Sequence, residues 1–170
     1  RWPFRLHAPY DESISRMLDV FEKVNRDIPF NGLHWFFDHA ETITERNIAR
    51  VNALGGGIAV QLRMAFQGEY FVDRYGKDAV KHTPPVAKML AAEVPVGLGT
   101  DATRVASYNP WTALYWLVSG RTVGGMAMYD DNNRLLRDVA LELWTAGSAW
   151  FSSEHGKKGR IEKDHLADLV

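Results

Sequence analysis

At 170 residues, 46% hydrophobic and 24% charged, the chain has the composition of a folded domain with an ordinary core, not of a disordered or collagen-like segment. Twenty basic against twenty-one acidic side chains leave a net charge of −1, which supplies no field to gather nucleic acid or an anionic membrane, so neither is expected as a partner. With no cysteine, disulfides, thiolate metal sites and cysteine nucleophiles are excluded, and any metal must be held by the six histidines and by carboxylates.

The first apolar run, Arg1-Trp2-Pro3-Phe4-Arg5-Leu6-His7, reads as an extended strand. Asp11 stands where an N-cap is wanted, ahead of Ile14, Met17, Leu18, Phe21 and Val24 at helical spacing. Asn31-Gly32 then turns the chain into the aromatic run Leu33 to His39, and Thr42-Ile43-Thr44-Glu45 has the spacing of a capping box. Ile48, Val51 and Leu54 mark the buried stripe of that second helix, which Gly55-Gly56-Gly57 ends. Ile58 to Leu62 is a third strand, followed by what reads as a long polar and aromatic loop. Pro84-Pro85 opens a third helix through Ala92, and Val94-Pro95-Val96-Gly97-Leu98 is a fourth strand. The segment Trp111-Thr112-Ala113-Leu114-Tyr115-Trp116-Leu117-Val118 is apolar all round and is expected to be buried; an amphipathic helix is expected near Leu136 to Thr145. The longest stretch free of charged side chains, Val105 to Gly120, is too short to span a bilayer and is broken by Asn109-Pro110. With no secretory signal apparent, the cytoplasm is the expected location.

Strands alternating with helices at this spacing call for parallel pairing and right-handed crossovers, which is the α/β class. A (β/α)₈ barrel takes about 250 residues, so four βα units are about half of one. The abrupt opening on an apolar strand, and a close on Leu166-Ala167-Asp168-Leu169-Val170 that reads as the first half of another, point to a piece of a longer protein.

In parallel α/β folds the reactive groups stand at the C-terminal ends of the strands. Here those ends carry His7, Asp38-His39-Ala40-Glu41, Gln61 with Arg63, and Thr100-Asp101. Two histidines and an aspartate are donors suited to zinc, iron or manganese. A strand-end histidine is as readily a core residue, and an aspartate before a helix a cap, so the residues alone leave both readings open.

The runs His7-Ala8-Pro9-Tyr10-Asp11-Glu12, Trp35-Phe36-Phe37-Asp38-His39-Ala40-Glu41 and Gly97-Leu98-Gly99-Thr100-Asp101-Ala102 resemble strands five, six and eight of the amidohydrolase superfamily, in its large subgroup of exoenzyme regulatory protein type. Gln61 to Glu69 and Asn109-Pro110-Trp111 resemble the same subgroup, and Gly159 to Leu169 resembles the strand by which such chains return to a β-sandwich. The resemblance implies strands five to eight of a TIM-type barrel over residues 1–152 and the start of that return strand over 153–170. It implies His7 and His39 as metal ligands, Asp101 as ligand and general base, and a divalent metal, zinc in the first instance, activating water against an amide or related C–N bond of a small-molecule substrate. Arg63 and Arg104 are candidates to bind a substrate carboxylate. Family members also take a His-x-His pair from strand one and a bridging carboxylate or carboxylated lysine from strand three or four, neither of which lies in this chain, so by itself it is expected to be inactive. Pro9-Tyr10 and Lys163-Asp164 depart from the family pattern.

Other readings weigh less. Gly97 to Ala102 also has the shape G-x-G-x-x-A, but Asp101 would put a carboxylate in a pyrophosphate cradle, Pro110 interrupts the helix that should follow, and no acidic residue between Asp101 and Asp130 could hold a ribose. Asp38 and Glu41 fit a ligand-orienting group and a helix cap better than a glycosidase pair. His34 is expected to point away from the metal and pack between sheet and helix, with His82, His155 and His165 solvated. A non-catalytic regulatory or interaction module on the same scaffold is the alternative function. An open half-barrel would leave two edge strands and an apolar lining uncovered, so a homo-oligomer, or the missing half of the same barrel, is the expected partner.

Overall fold

The computed structural model describes residues 2–168. Strands β1 (Phe4–Ala8), β2 (Trp35–His39), β3 (Gly57–Gln61) and β4 (Val96–Gly99) form a sheet in that order, with every pair parallel. Helices α1 (Asp11–Asp27), α2 (Glu45–Ala53), α3 (Arg63–Tyr75) and α4 (Val86–Ala91) lie in the crossovers, and α5 (Pro110–Ser119) follows β4. Helix α6 (Arg137–Glu142) then runs through a π-helical turn (Leu143–Gly147) into α7 (Ser148–Phe151). No helix among the described residues is long and apolar enough to cross a membrane.

Aromatic packing fixes which way each strand faces. Phe21 of α1 meets the rings of Phe4, Trp35 and Phe37 at centroid distances of 5.6, 5.2 and 6.1 Å, so these side chains look outward to the helix layer. Alternation along the strands, carried across by the register Arg5↔Phe36, His7↔Asp38 and Phe36↔Gly57, then places Arg5, His7, Phe36, Asp38, Gly57, Ala59 and Gln61 on the opposite, inner face. The helix layer is tied together by Arg50 of α2, whose guanidinium reaches Glu22 and Asp19 of α1 at 2.6 Å each and holds the Glu22 carboxyl below its ordinary range.

Two helix starts differ from expectation. Tyr10, not Asp11, occupies the cap position of α1 and makes no side-chain bond there. Asp11 is the first helical residue, and its Oδ1 accepts from Thr44 N–H at 2.7 Å and from Asn47 Nδ2 at 2.8 Å. Its own N–H donates to Thr42 Oγ1 at 2.9 Å, which takes that hydroxyl out of the expected capping box. Helix α2 therefore begins two residues later, with Thr44 Oγ1 accepting from Asn47 N–H at 3.4 Å.

The expected loop after β3 is helix α3. Met64, Ala65 and Gly68 are buried along it and Phe71 and Val72 partly so, a helical stripe that a poor helix former, Gly68, conceals in the sequence. The glycine is required by packing, since a Cβ at position 68 would stand 2.7 Å from Met128 Sδ. Helix α5 is one-sided instead of buried all round: Ala113, Trp116 and Leu117 are in the core, while Trp111 and Tyr115 are 70% and 53% exposed. Beyond Phe151 the described chain consists of turns and irregular backbone, with Leu166 N–H donating to Lys157 O at 2.7 Å. The strand expected from Leu166 is not formed over residues 166–168, and Leu169 and Val170 lie outside the described residues.

β1 and β4 are the edge strands of the sheet, and the chain's own C-terminal helices cover part of its inner face. Trp150 and Phe151 lie over the inner-face glycines, where a Cβ at Gly57 or Gly97 would stand 2.6 Å from their rings. Ser148 Oγ accepts from Leu98 N–H at 3.1 Å and lies 3.0 Å from Leu98 O, capping the free side of β4. Toward the strands' C-terminal ends the inner face is polar, with Arg5 3.4 Å from Asp38 and Gln61 Nε2 donating to Asp38 at 3.4 Å. Gly97→Val should therefore lower stability by roughly 1–3 kcal/mol, measured as an earlier urea midpoint, because its side chain would have to displace Phe151 and the Ser148 backbone.

Candidate active site

Since all four strands run the same way, His7, His39 and Asp101 all stand at the C-terminal end of the sheet. His7 reaches the inner face by simple alternation and is exposed there. His39 does not, because it pairs with Ala8 and shares the outward parity of Trp35 and Phe37. A backbone turn re-aims it: His39 and Ala40 have φ of 79° and 53°, left-handed values that non-glycine residues adopt at a cost on the order of 1 kcal/mol each. As a result its imidazole meets that of His7 edge to face, with ring centroids 4.5 Å apart.

The turn is held by its neighbours. Ala40 N–H donates to Ala8 O at 3.2 Å and Thr42 N–H to Pro9 O at 3.1 Å, while Asp11 binds Thr44 and Asn47. Both ends of the loop after β2 are thus fastened to the connection between β1 and α1. Asp101, beyond β4, also has a left-handed backbone, with φ of 55°, and an exposed side chain.

His39 itself is buried, at 6% exposure, and its Nδ1 lies 3.4 Å from Glu41 Oε1 in an approach that falls short of a hydrogen bond. Burial disfavours a charged imidazole, but Glu41, with Asp101 and Asp38 behind it, outweighs burial and holds the group above its ordinary range. Glu41 does not cap α2, the role expected of it, and is buried beside the histidine. Asp38 faces Arg5 and Gln61. Glu41 was hidden because its approach to His39 depends on two left-handed residues that no local pattern signals.

The histidine pair closes, but a full coordination set does not: among the described residues no three His, Asp or Glu side chains converge to hold a metal ion. Arg63 opens α3 and its Nε donates to Gln67 Oε1 at 2.9 Å, while Arg104 is exposed in the loop after Asp101. His34 does pack against a helix, but on the inner side, with its ring 3.9 Å from that of Trp150, and burial pushes its imidazole down. His155 is exposed as expected, whereas His82 and His165 are half-buried, the latter with Nε2 3.6 Å from Glu162.

The model of the amidohydrolase family matches residues 1–170, and the chain belongs to that family. Among solved structures it is similar to an uncharacterized metal-dependent hydrolase from Pyrococcus horikoshii OT3, with a TM-score of 0.79 and 23% identity over 99% of this chain and 33% of that one. A second uncharacterized metal-dependent hydrolase, from Pyrococcus furiosus, gives 0.78 and 22% over 99% and 32%. An adenosine deaminase from Xanthomonas campestris with bound Zn gives 0.60 and 18% over 99% and 36%. The chain spans about a third of the length of each, and the likeness establishes its fold as part of such an α/β scaffold. No curated protein matches it.

Asp11→Ala removes an acceptor of two hydrogen bonds from the loop that carries His39. A stability loss of roughly 1–3 kcal/mol is expected, together with faster amide hydrogen exchange over residues 40–47.

Proposed function

We propose that this chain forms strands five to eight of a metal-dependent amidohydrolase barrel that hydrolyses an amide or related C–N bond of a small molecule. The observation that carries this reading is the His7–His39 pair, two imidazoles brought to 4.5 Å at the C-terminal end of the sheet by a strained turn in a chain of this family. Two imidazoles and an aspartate suit a divalent metal of borderline softness, zinc in the first instance, and the open coordination set calls for further donors from outside these residues. When bound, such a metal supplies a Lewis acid and draws the pKa of water toward neutrality.

The chain's own residues then divide the work. His7 and His39 offer ring nitrogens, one from an exposed and one from a buried position, so the pair is approached from the His7 side. The exposed carboxylate of Asp101 takes the proton of the attacking water on Oδ and returns it to the leaving nitrogen. In this reading Arg104, exposed in the same loop, and Arg63, at the start of α3, would meet a substrate carboxylate.

In the full-length enzyme, Asp101→Asn should reduce kcat by at least 10²-fold while leaving the thermal transition in place, and His7→Ala should lower the zinc bound per chain, read by elemental analysis. Unchanged zinc content with His7 and His39 both replaced would exclude the histidine pair from the metal site and favour an interaction module on the same scaffold.

A further inference from the structure

Glu41 carries a buried carboxyl group in the described fold. The residue is 1% exposed, and neither carboxyl oxygen has a hydrogen-bond partner. An isolated buried carboxyl group forfeits several kcal/mol of hydration unless something nearby compensates it. The group it faces is His39 Nδ1, 3.4 Å away, which is itself buried without a hydrogen bond. Three orphaned polar atoms therefore meet at one point, and closure by about 0.4 Å would bring N and O within ordinary hydrogen-bonding distance.

Other candidates for that contact are occupied. The buried phenol of Tyr129, close enough to be influenced by the charge of Glu41, donates to Thr83 O at 3.2 Å. Asp38, the neighbouring carboxylate in sequence, is engaged by Arg5 and Gln61 on the inner face. The left-handed pair His39-Ala40 is what folds the side chain two residues on back against the ring.

We propose that Glu41 is a positioning residue that accepts the proton-bearing Nδ1 of His39, fixing that imidazole as the Nδ1–H tautomer and leaving Nε2, across the ring, as its only ligating nitrogen. The inference rests on the reading of His39 as a ligand but concerns a different residue and a different property. Which ring nitrogen is left to bind a metal is set by the hydrogen bond that the other nitrogen donates, and partners of this kind commonly change metal affinity 10- to 100-fold.

Nitrogen-15 NMR of histidine-labelled protein tests the proposal directly. The unsubstituted chain should show His39 as Nδ1–H; Glu41→Gln, which keeps a carbonyl acceptor, should preserve that state; Glu41→Ala should shift it toward Nε2–H. An Nε2–H signature in the unsubstituted protein overturns the proposal with no variant needed, and so does an unchanged His39 signature in a folded Glu41→Ala. Zinc titration of the full-length protein separates the two levels of inference. Glu41→Ala should weaken zinc on the order of 10- to 100-fold, and Glu41→Gln by much less. Should the tautomer respond as expected while His39→Ala leaves zinc affinity unaltered, the Glu41 contact stands and the ligand role of His39 falls.

Discussion

The phase of β2 is the constraint from which the site follows. Trp35 and Phe37 are wholly buried and packed on Phe21, so the strand cannot slip by one residue without driving two large aromatic rings to the other face. That commitment sends Asp38 inward to Arg5 and Gln61 and, by the same logic, would send His39 outward. Only a break in the alternation can bring the two histidines together, and the left-handed turn at His39 and Ala40 is that break. The fastenings to Ala8, Pro9 and Asp11 hold it, which makes the β1–α1 connection as much a part of the site as the strand ends.

The two loops that flank the histidine pair differ in kind. The one after β2 is largely buried from His39 to Ile43, apart from a half-buried Thr42, and is laced to its neighbour. The one after β4 is exposed from Asp101 to Arg104. Under the roles proposed for His39 and Asp101, a ligand group that must not move and a proton carrier that must meet substrate have opposite needs, and the two loops differ in the corresponding way.

Strands and most crossovers were legible because burial imposes simple periods. Leu33–His39 contains β2, Ile58–Leu62 and Val94–Leu98 overlap β3 and β4, and Ile48 and Val51 face the core. Readings failed where a distant partner decided the outcome. Thr42 lost its capping role to the Asp11 backbone, and Gly68 interrupts the pattern of α3 because Met128 needs the room. Trp111 and Tyr115 are apolar yet exposed, a distinction that composition cannot make. Of the site, the residue types and strand ends were visible, whereas the contact between Glu41 and His39 was not, since it arises from dihedral angles and not from spacing.

The π-helical turn from Leu143 to Gly147 amounts to one extra residue wound into a helix that otherwise runs on from α6 to α7. At about 100° per residue, its insertion rotates everything downstream by more than a quarter turn. That rotation is what brings Ser148 to Leu98, Trp150 to Gly57 and Phe151 to Gly97 at once. Loss of a single codon in this stretch, with no change to any contacting side chain, would unthread all three contacts together.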